Sequence, residues 1–338
     1  MIKIALVGAG SMAHRHIKGY SSIPDADVVA VYDLREEATR SISQSTTARA
    51  YSDFDTMMSD EKPDLVDICV WTPAHGEYIK RSLTYQPKGI LVEKPLARTS
   101  QEARTLADLC RHCSVNLYVG HVIRYFPEYA AAHDQVIDGS VGIPCAVRMR
   151  RGGPFPTGNR SWFGNFEMSG GVILDLLIHE FDWLRWTFGP VQRVYAKGLA
   201  ARTGQPNMLA RDYALVTLRF ESGLLAHVEG TWADPGGFKN CFEVAGDEGI
   251  LEYNFNQPAA PVLEIRLANE HCNSGSNIEN EANPYQFELQ DVLNNIKTGE
   301  PTRVSPDDAV EAILIAEAAI ESVRTGRPVY LNREAAND

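Results

Sequence analysis

IKIALVGAGSMA, residues 2–13, is a short apolar run that leads directly into a glycine turn. Gly8, Gly10 and Ala13 match the pattern G-x-G-x-x-A, and Asp33 lies 20 residues beyond Ala13, at the end of the next apolar run. The match alone is weak, but a strand before it, a helix after it and an acid at this distance are the context that a dinucleotide-binding turn requires. The alternative is a structural βαβ turn that binds no cofactor.

Each position of the turn has a physical role in this interpretation. Gly8 allows the tight turn, Gly10 lets the backbone approach a pyrophosphate, and Ala13 permits close packing of helix and strand. The helix then begins at Ser11 and Met12, where backbone N–H groups and the helix dipole favour a phosphate. These residues are therefore predicted to bind the cofactor.

The segment after the second strand predicts which dinucleotide is bound. The Asp33 carboxylate would accept hydrogen bonds from the ribose hydroxyls and repel a 2′-phosphate, which favours NAD. Arg35, which follows Leu34 in the same loop, could instead bind that phosphate, so NADP remains an alternative. We expect all three residues to contact the cofactor.

The composition is that of an ordinary globular protein: 338 residues, 44% apolar and 22% charged, enough for two domains. A net charge of −12 argues against a nucleic acid or an anionic membrane as partner. The N-terminus does not resemble a signal peptide, and no apolar stretch is long enough to span a bilayer. Six sparse cysteines are typical of a reducing compartment, so a cytoplasmic protein is expected.

The order of predicted elements indicates an α/β protein with two domains. Five apolar strands alternate with helices as far as residue 121, which predicts a parallel sheet. Beyond it, strands follow one another closely between residues 144 and 255, interrupted by one helix over residues 171–188, which predicts a mostly antiparallel sheet. The predicted domains are residues 1–121 and 122–338. The stretches 203–210 and 268–283 are expected to be surface connections, or else segments that close over a ligand or contact another subunit.

Glu93-Lys94-Pro95 lies directly at the end of a predicted buried strand. Ligands bind at the carboxyl edge of an open α/β sheet, so Lys94 is a candidate for catalysis and for binding. The alternative is a solvated ion pair in a loop.

The ordered set of motifs resembles the glucose–fructose oxidoreductase, inositol dehydrogenase and rhizopine catabolism (Gfo/Idh/MocA) family. The glycine turn is followed by His16, Thr72-Pro73, His75-Gly76-Glu77, Glu93-Lys94-Pro95 and the stretch GGVILDLLIH, residues 170–179. The resemblance covers nearly the whole chain.

This resemblance implies a Rossmann domain followed by an α/β domain with an open sheet. It implies that a nicotinamide cofactor serves to oxidise or reduce a carbinol of a sugar, an inositol or a related polyol or sugar acid. It also implies a homodimer or homotetramer formed through the open sheet, and a final helix, residues 305–326, that packs on the Rossmann domain. Further cofactor contacts are implied for Trp71, Thr72, Pro73, His75, Glu93 and Lys94.

Asp175 and His179 are four residues apart and would share one face of a helix with Asp182, opposite an apolar stripe. Solvent could explain a polar face, but the resemblance implies that both are catalytic. His179 would take the hydroxyl proton, Asp175 would orient the substrate or the imidazole, and Lys94 would hydrogen-bond to the reacting oxygen. Whether Lys94 or His179 is the primary base remains open.

Three further residues are candidates for contact with the substrate. His121 and Arg124 follow the fifth strand at the ligand-binding edge, and Trp162 could form one wall of a sugar site. Arg124 could equally be an ion-pair partner, and Trp162 a packing residue. Cys110 and Cys113 have no second pair at ligand spacing, so no metal is expected. Arg150 and Arg151 are expected to form a charged patch at a strand end.

Two other functions compete with an NAD-dependent dehydrogenase. The first is a non-catalytic sensor of the same fold, which would have no need for Lys94, Asp175 and His179 together. The second is an NADP-dependent reductase, which Arg35 leaves open.

Overall fold

The computed structural model describes residues 1–156, 161–199, 212–234, 237–254, 262–267, 276–277 and 283–331. The chain divides into two compact units. Unit 1 comprises Met1–Tyr125 and Asn283–Val310, and unit 2 comprises Phe126–Ala282 and Glu311–Asp338. Unit 1 thus includes a C-terminal segment that the sequence assigns to the second domain. The predicted boundary at residue 121 and the predicted packing of the final helix stay predictions.

Unit 1 contains a parallel sheet whose strand order is β3-β2-β1-β4-β5-β6. Its strands are β1 (Ile2–Val7), β2 (Ala26–Tyr32), β3 (Arg49–Tyr51), β4 (Leu65–Ile68), β5 (Gly89–Glu93) and β6 (Asn116–Gly120). Its helices are α1 (Ser11–Tyr20), α2 (Glu36–Ser45), α3 (Phe54–Glu61), α4 (His75–Leu83), α5 (Ser100–His112) and α9 (Pro284–Thr298), together with the first turn of α10 (Pro306–Thr325). The predicted Rossmann domain is confirmed.

The core of unit 1 explains why these strands are almost continuously apolar. Consecutive residues of β1, from Ile4 to Val7, are all fully buried, as expected where both faces of a parallel sheet are covered. One of the covering elements is α9, whose Leu289, Val292 and Leu293 pack into the cluster formed by β1 and α1. The C-terminal segment of unit 1 therefore completes its core.

Unit 2 contains a mixed sheet of nine strands with the order β14-β13-β12-β11-β7-β10-β9-β8-β15. The strands are β7 (Pro144–Gly152), β8 (Val191–Leu199), β9 (Tyr213–Phe220), β10 (Leu225–Thr231), β11 (Lys239–Gly246), β12 (Gly249–Asn254), β13 (Val262–Leu267), β14 (Ser276–Asn277) and β15 (Val329–Tyr330). The helices of unit 2 are α6 (Pro127–Ile137), α7 (Phe166–Ser169), α8 (Ile178–Phe188) and the remainder of α10. Only the pairing of β10 with β7 is parallel among these strands, which confirms the predicted mostly antiparallel sheet.

The predicted helix over residues 171–188 is present, but its first half is not a regular α-helix. Val172–Leu176 forms a turn of π-helix, and α8 begins only at Ile178. The Leu177 N–H donates to the carbonyl of Val172, five residues earlier. Gly170 and Gly171 precede the turn with φ of 71° and 67°, a backbone region that favours glycine.

No helix in the described part of the chain is both long and apolar enough to cross a membrane. The predicted connection over 203–210 lies outside the described residues, as does that over 268–283 except for residues 276–277 and Asn283.

Candidate active site

The glycine turn has the geometry that a bound pyrophosphate needs. Gly8 has φ of +98°, and a Cβ there would lie 3.0 Å from the backbone carbon and oxygen of Cys69, so only glycine fits. A Cβ on Gly10, by contrast, would meet no atom within 4 Å. Gly10 is also the N-cap residue of α1 and has no side chain with which to cap it. The start of α1, with exposed Ser11 and half-buried Met12, therefore offers its N–H groups to an anion.

Asp33 connects this turn to the end of β2. Its Oδ2 accepts a hydrogen bond of 2.9 Å from the N–H of Ala9, and its Oδ1 accepts one of 2.8 Å from the N–H of Arg35. Burial alone would raise the pKa of Asp33, but these bonds and the guanidinium of Arg35 hold it below its usual value. The carboxylate is thus ionised beside the turn, and the neighbouring Leu34 is largely exposed.

The segment after β4 carries the next group of predicted cofactor residues. Trp71 precedes a short 3₁₀ turn, Thr72–Ala74, which leads into α4. The His75 ring is buried, with Nδ1 2.9 Å from the carbonyl oxygen of Pro95 and Nε2 3.1 Å from that of Val70. Burial lowers the pKa of His75. This histidine therefore connects the segments that follow β4 and β5, while Pro73 is exposed.

Glu93 and Lys94 lie at the carboxyl end of β5, as predicted. Glu93 is buried and Lys94 half-buried. The Oε2 atom of Glu93 accepts a hydrogen bond of 3.2 Å from the backbone N–H of Lys94. The pair is therefore built into the strand end and is not a solvated loop.

Glu93 also belongs to a buried cluster that sequence reasoning does not find. His16 of α1 has Nδ1 2.8 Å from Asp67 Oδ2 on β4 and Nε2 3.1 Å from Glu93 Oε1. The Tyr20 hydroxyl donates to the same Asp67 oxygen at 2.9 Å. Glu288 of α9 is buried close enough that the charges of Glu93 and His16 act on it. These groups come from distant parts of the chain, so local spacing gives no signal.

His121 and Arg124 follow β6, and both are buried. The Arg124 guanidinium donates to the carbonyl of Arg303 at 2.8 Å and lies 3.3 Å from an Asp308 carboxylate oxygen, within unit 1. These contacts favour the ion-pair role of Arg124 over the substrate-binding role.

In unit 2 the π-helical turn positions the predicted catalytic pair. Asp175 lies within the turn and His179 in the first turn of α8, and both are half-buried. The turn departs from the regular helix assumed from their spacing, and Asp182, expected on the same polar face, is buried. π-turns within helices occur frequently at functional sites, because the inserted residue redirects side chains. Trp162 is half-buried in a 3₁₀ turn, with its ring stacked 4.2 Å from that of Phe163.

Comparison with known proteins agrees with both units. Residues 2–121 match the model of the oxidoreductase family with an NAD-binding Rossmann fold, and residues 129–252 match the GFO/IDH/MocA C-terminal domain. Together the two matches span well over half of the chain. It therefore belongs to the GFO/IDH/MocA family of oxidoreductases.

Individual relatives resemble the chain over nearly its full length. It is 28% identical to myo-inositol 2-dehydrogenase of Thermotoga maritima, covering 98% of both chains. It is 27% identical to D-apiose dehydrogenase of Paraburkholderia graminis, covering 97% of this chain and 89% of the relative. The solved structure of GenD2 from gentamicin A biosynthesis in complex with NAD superposes with a TM-score of 0.86 at 26% identity, covering 98% and 96%. The chain is thus an enzyme, an NAD-binding dehydrogenase. The alternative of a non-catalytic sensor is not supported.

Proposed function

We propose that this protein oxidises a carbinol of a sugar, an inositol or a related polyol or sugar acid. The observation that carries the proposal is the pairing of the open glycine turn and Asp33 with Lys94 at the carboxyl end of β5, all in unit 1. Relatives named as inositol and apiose dehydrogenases support this substrate class. When bound, the nicotinamide of NAD accepts the hydride from the carbinol carbon.

Three side chains do the remaining work in the proposed reaction. His179 takes the hydroxyl proton, because an imidazole is basic enough near neutral pH and its conjugate acid gives the proton up again. Asp175 orients the substrate or the imidazole. Lys94 hydrogen-bonds to the reacting oxygen and stabilises negative charge as it develops there. His121 and Trp162 are the proposed contacts for the other hydroxyls.

The cofactor would be held by the residues at the glycine turn and at the ends of β2, β4 and β5. These are Gly8, Gly10, Ser11, Met12, Asp33, Leu34, Arg35, Trp71, Thr72, Pro73, His75, Glu93 and Lys94. The orientation of Asp33 towards the turn supports contact with the ribose and a preference for NAD over NADP.

Lys94→Ala tests the catalytic proposal. We expect purified protein to reduce NAD with at least one compound from a panel of aldoses, inositols and sugar acids. In Lys94→Ala, kcat should fall by about 10²-fold or more, while NADH binding measured by fluorescence persists. Lys88→Ala is the matched control, because Lys88 precedes the same strand and forms an exposed ion pair with Asp64. Retained turnover in Lys94→Ala would contradict the proposed role.

Asp33→Ala tests the cofactor preference. Removing the carboxylate takes away both the ribose acceptor and the repulsion of a 2′-phosphate, so the ratio of kcat/KM for NAD to that for NADP should fall by about tenfold or more. An unchanged ratio would show that Asp33 does not select the cofactor.

We further propose a homodimer or homotetramer formed through the sheet of unit 2, in the cytoplasm. Leu215 of β9 and Leu225 of β10 support this, because both are exposed apolar residues of that sheet. Light scattering of Leu215→Glu should show a smaller assembly than the parent protein.

A further inference from the structure

A buried cluster of ionisable groups lies at the carboxyl ends of β4 and β5 in unit 1, and of its members only Glu93 has a role in the function proposed above. A single imidazole, that of His16, bridges two carboxylates on neighbouring strands. Asp67 lies 2.8 Å from one ring nitrogen and Glu93 3.1 Å from the other. All three residues are buried.

This geometry fixes the protonation of the imidazole. A carboxylate accepts hydrogen bonds, so both ring nitrogens must carry a proton to satisfy both partners. Burial alone would lower the pKa of His16, but the charge and the hydrogen bond of Asp67 outweigh it and raise the pKa well above its ordinary value. Burial would raise the pKa of Glu93, whereas the hydrogen bond and the charge of His16 hold it below its usual range. The imidazolium therefore lies between the carboxyl groups of Asp67 and Glu93.

The Glu93 carboxylate is held on several sides. Its Oε1 lies 3.1 Å from Nε2 of His16, and its Oε2 accepts a hydrogen bond from the backbone N–H of Lys94. On β6, a Cβ at Gly120 would lie 3.2 Å from Oε1 and 3.4 Å from the carboxyl carbon, so a side chain there would press on the carboxylate. The position of the Glu93 carboxylate therefore affects the position of the Lys94 backbone, to which it is hydrogen-bonded.

We propose that His16 is a positioning residue for Lys94, acting through Glu93. The imidazolium fixes the Glu93 carboxylate, and the carboxylate fixes the backbone and supplies a negative charge next to the Lys94 ammonium. This inference rests on the proposed catalytic role of Lys94. Besides Lys94, the charged and titratable groups around Glu93 are His16 from α1, Cys69 just after β4, His75 from α4, and Tyr285 and Glu288 from α9, with Asp67 on the far side of His16.

A metal site is the competing interpretation of part of this cluster. Ligand atoms of His16, Asp67 and Cys69 lie within 4.8 Å of one another. Burial and the neighbouring Asp67 charge, however, raise the pKa of the Cys69 thiol far above its usual range, and both imidazole nitrogens already face carboxylates. The hydrogen-bonded arrangement therefore accounts for these residues without a metal.

His16→Gln and Glu93→Gln test the positioning role. A glutamine amide cannot bond both carboxylates as the imidazolium does, so in His16→Gln we expect kcat to fall by about 10- to 100-fold, with KM for NAD within about twofold. Glu93→Gln removes the negative charge beside Lys94, so the pH midpoint of kcat should move to lower pH by about one unit. If His16→Gln does not fold, Glu93→Gln still tests the positioning role. Glu93→Gln replaces one of the buried acids by a neutral amide of the same shape, so it is expected to fold.

Tyr20→Phe is the matched control. It removes one hydrogen bond to Asp67 within the same cluster but leaves the contact between His16 and Glu93 intact. We expect it to lower the urea concentration at the midpoint of unfolding and to leave kcat and its pH midpoint unchanged. A purely structural role of the cluster would give all three variants the same kinetic constants as the parent.

A readout without substrate separates this inference from the proposed function. Lysines are reductively methylated with ¹³C, and the Lys94 resonance is assigned by its loss in Lys94→Arg. At a fixed pH its chemical shift should change in Glu93→Gln and in His16→Gln and stay in place in Tyr20→Phe, even if no sugar or polyol is turned over. If the parent protein turns over substrate, and both glutamine variants keep the parent's kcat and the parent's Lys94 chemical shift, the inference is overturned and the proposed function stands.

Discussion

Strands β1 and β9 show how differently the two sheets bury their residues. In β1, consecutive residues are buried, because elements cover both faces of the parallel sheet. In β9, burial alternates: Leu218 is fully buried, whereas Leu215 on the other face is 42% exposed. A sheet covered on both faces can offer its ligands only the strand ends, whereas a sheet with an uncovered face can also receive another protein surface.

The two units also differ in how they balance buried charge. In unit 2, Arg151 of β7 and Glu180 of α8 form one buried pair, with Arg151 Nε 2.5 Å from the carboxylate. In the buried cluster of unit 1, by contrast, three carboxyl groups, those of Asp67, Glu93 and Glu288, lie near the one imidazole of His16. Burial and the charge of Glu93 raise the pKa of Glu288 well above its ordinary value.

The largest effect is expected where a buried pair is broken. Glu180→Ala leaves the Arg151 guanidinium buried without its carboxylate, so the free energy of unfolding should fall by about 3–5 kcal/mol. Glu243→Ala is the control, since Glu243 pairs with the exposed Arg148 in the same sheet and should cost less than about 1 kcal/mol. Urea denaturation followed by tryptophan fluorescence measures both, because four of the five tryptophans lie in unit 2. Equal losses would show that burial does not separate the two pairs.

A smaller difference is expected between the two faces of β9. Leu218→Ala should lower the free energy of unfolding by about 2–5 kcal/mol, because it opens a cavity in the core. Leu215→Ala, the same substitution three residues away on the open face, should change it by less than about 0.5 kcal/mol. Both are measured by urea denaturation at a protein concentration low enough to dissociate any oligomer. Comparable losses would mean that the outer face of this sheet is covered within the monomer.

The last difference appears in the pH dependence of stability and concerns Glu288 of unit 1. The pKa of Glu288 is raised on folding, so the folded chain binds more protons than the unfolded chain, and stability falls as pH rises above about 4.5. Over this range the parent protein should lose up to about 1.4 kcal/mol per pH unit relative to Glu288→Gln, which cannot ionise. Urea denaturation of both proteins between about pH 5 and pH 8 gives the two slopes. Parallel curves would mean that Glu288 is already ionised in the folded protein.

Much of the fold could be predicted from the sequence because its constraints are local. The positive φ of Gly8 and the acid at the end of β2 follow from short-range spacing, and the apolar runs of the parallel sheet identify buried strands. Alternation along a strand is equally local, yet the predicted strand-end charged patch of Arg150 and Arg151 overlooks it: both residues lie near the end of β7, but not on one face. Adjacent residues point to opposite faces, so Arg151 is buried while Arg150 remains partly exposed.

The buried cluster could not be predicted because its members meet only after folding. His16 and Asp67 are 51 residues apart in the chain, and Glu288 comes from a helix that sequence reasoning does not assign. The helix did leave a signal, since Asn283 caps it, Pro284 is its first residue and Gly299 ends it with φ of 78°. The π-turn at Asp175 leaves no such signal, because residues 172–178 are apolar at every position except Asp175 and therefore show no helical periodicity that an inserted residue could shift.

Unit 1 is assembled from two separate stretches of the chain, and this has a consequence for the order of synthesis. When residue 125 leaves the ribosome, α1 and the full parallel sheet have been made, but α9 has not. Until residues 283–310 emerge, α9 cannot cover the core against which Leu289 and Leu293 pack. The buried cluster of His16, Asp67 and Glu93 is incomplete for the same time. Strands β7 to β14 are synthesised in the meantime. Folding of unit 1 can therefore begin first, but it is completed only after most of unit 2 has been translated.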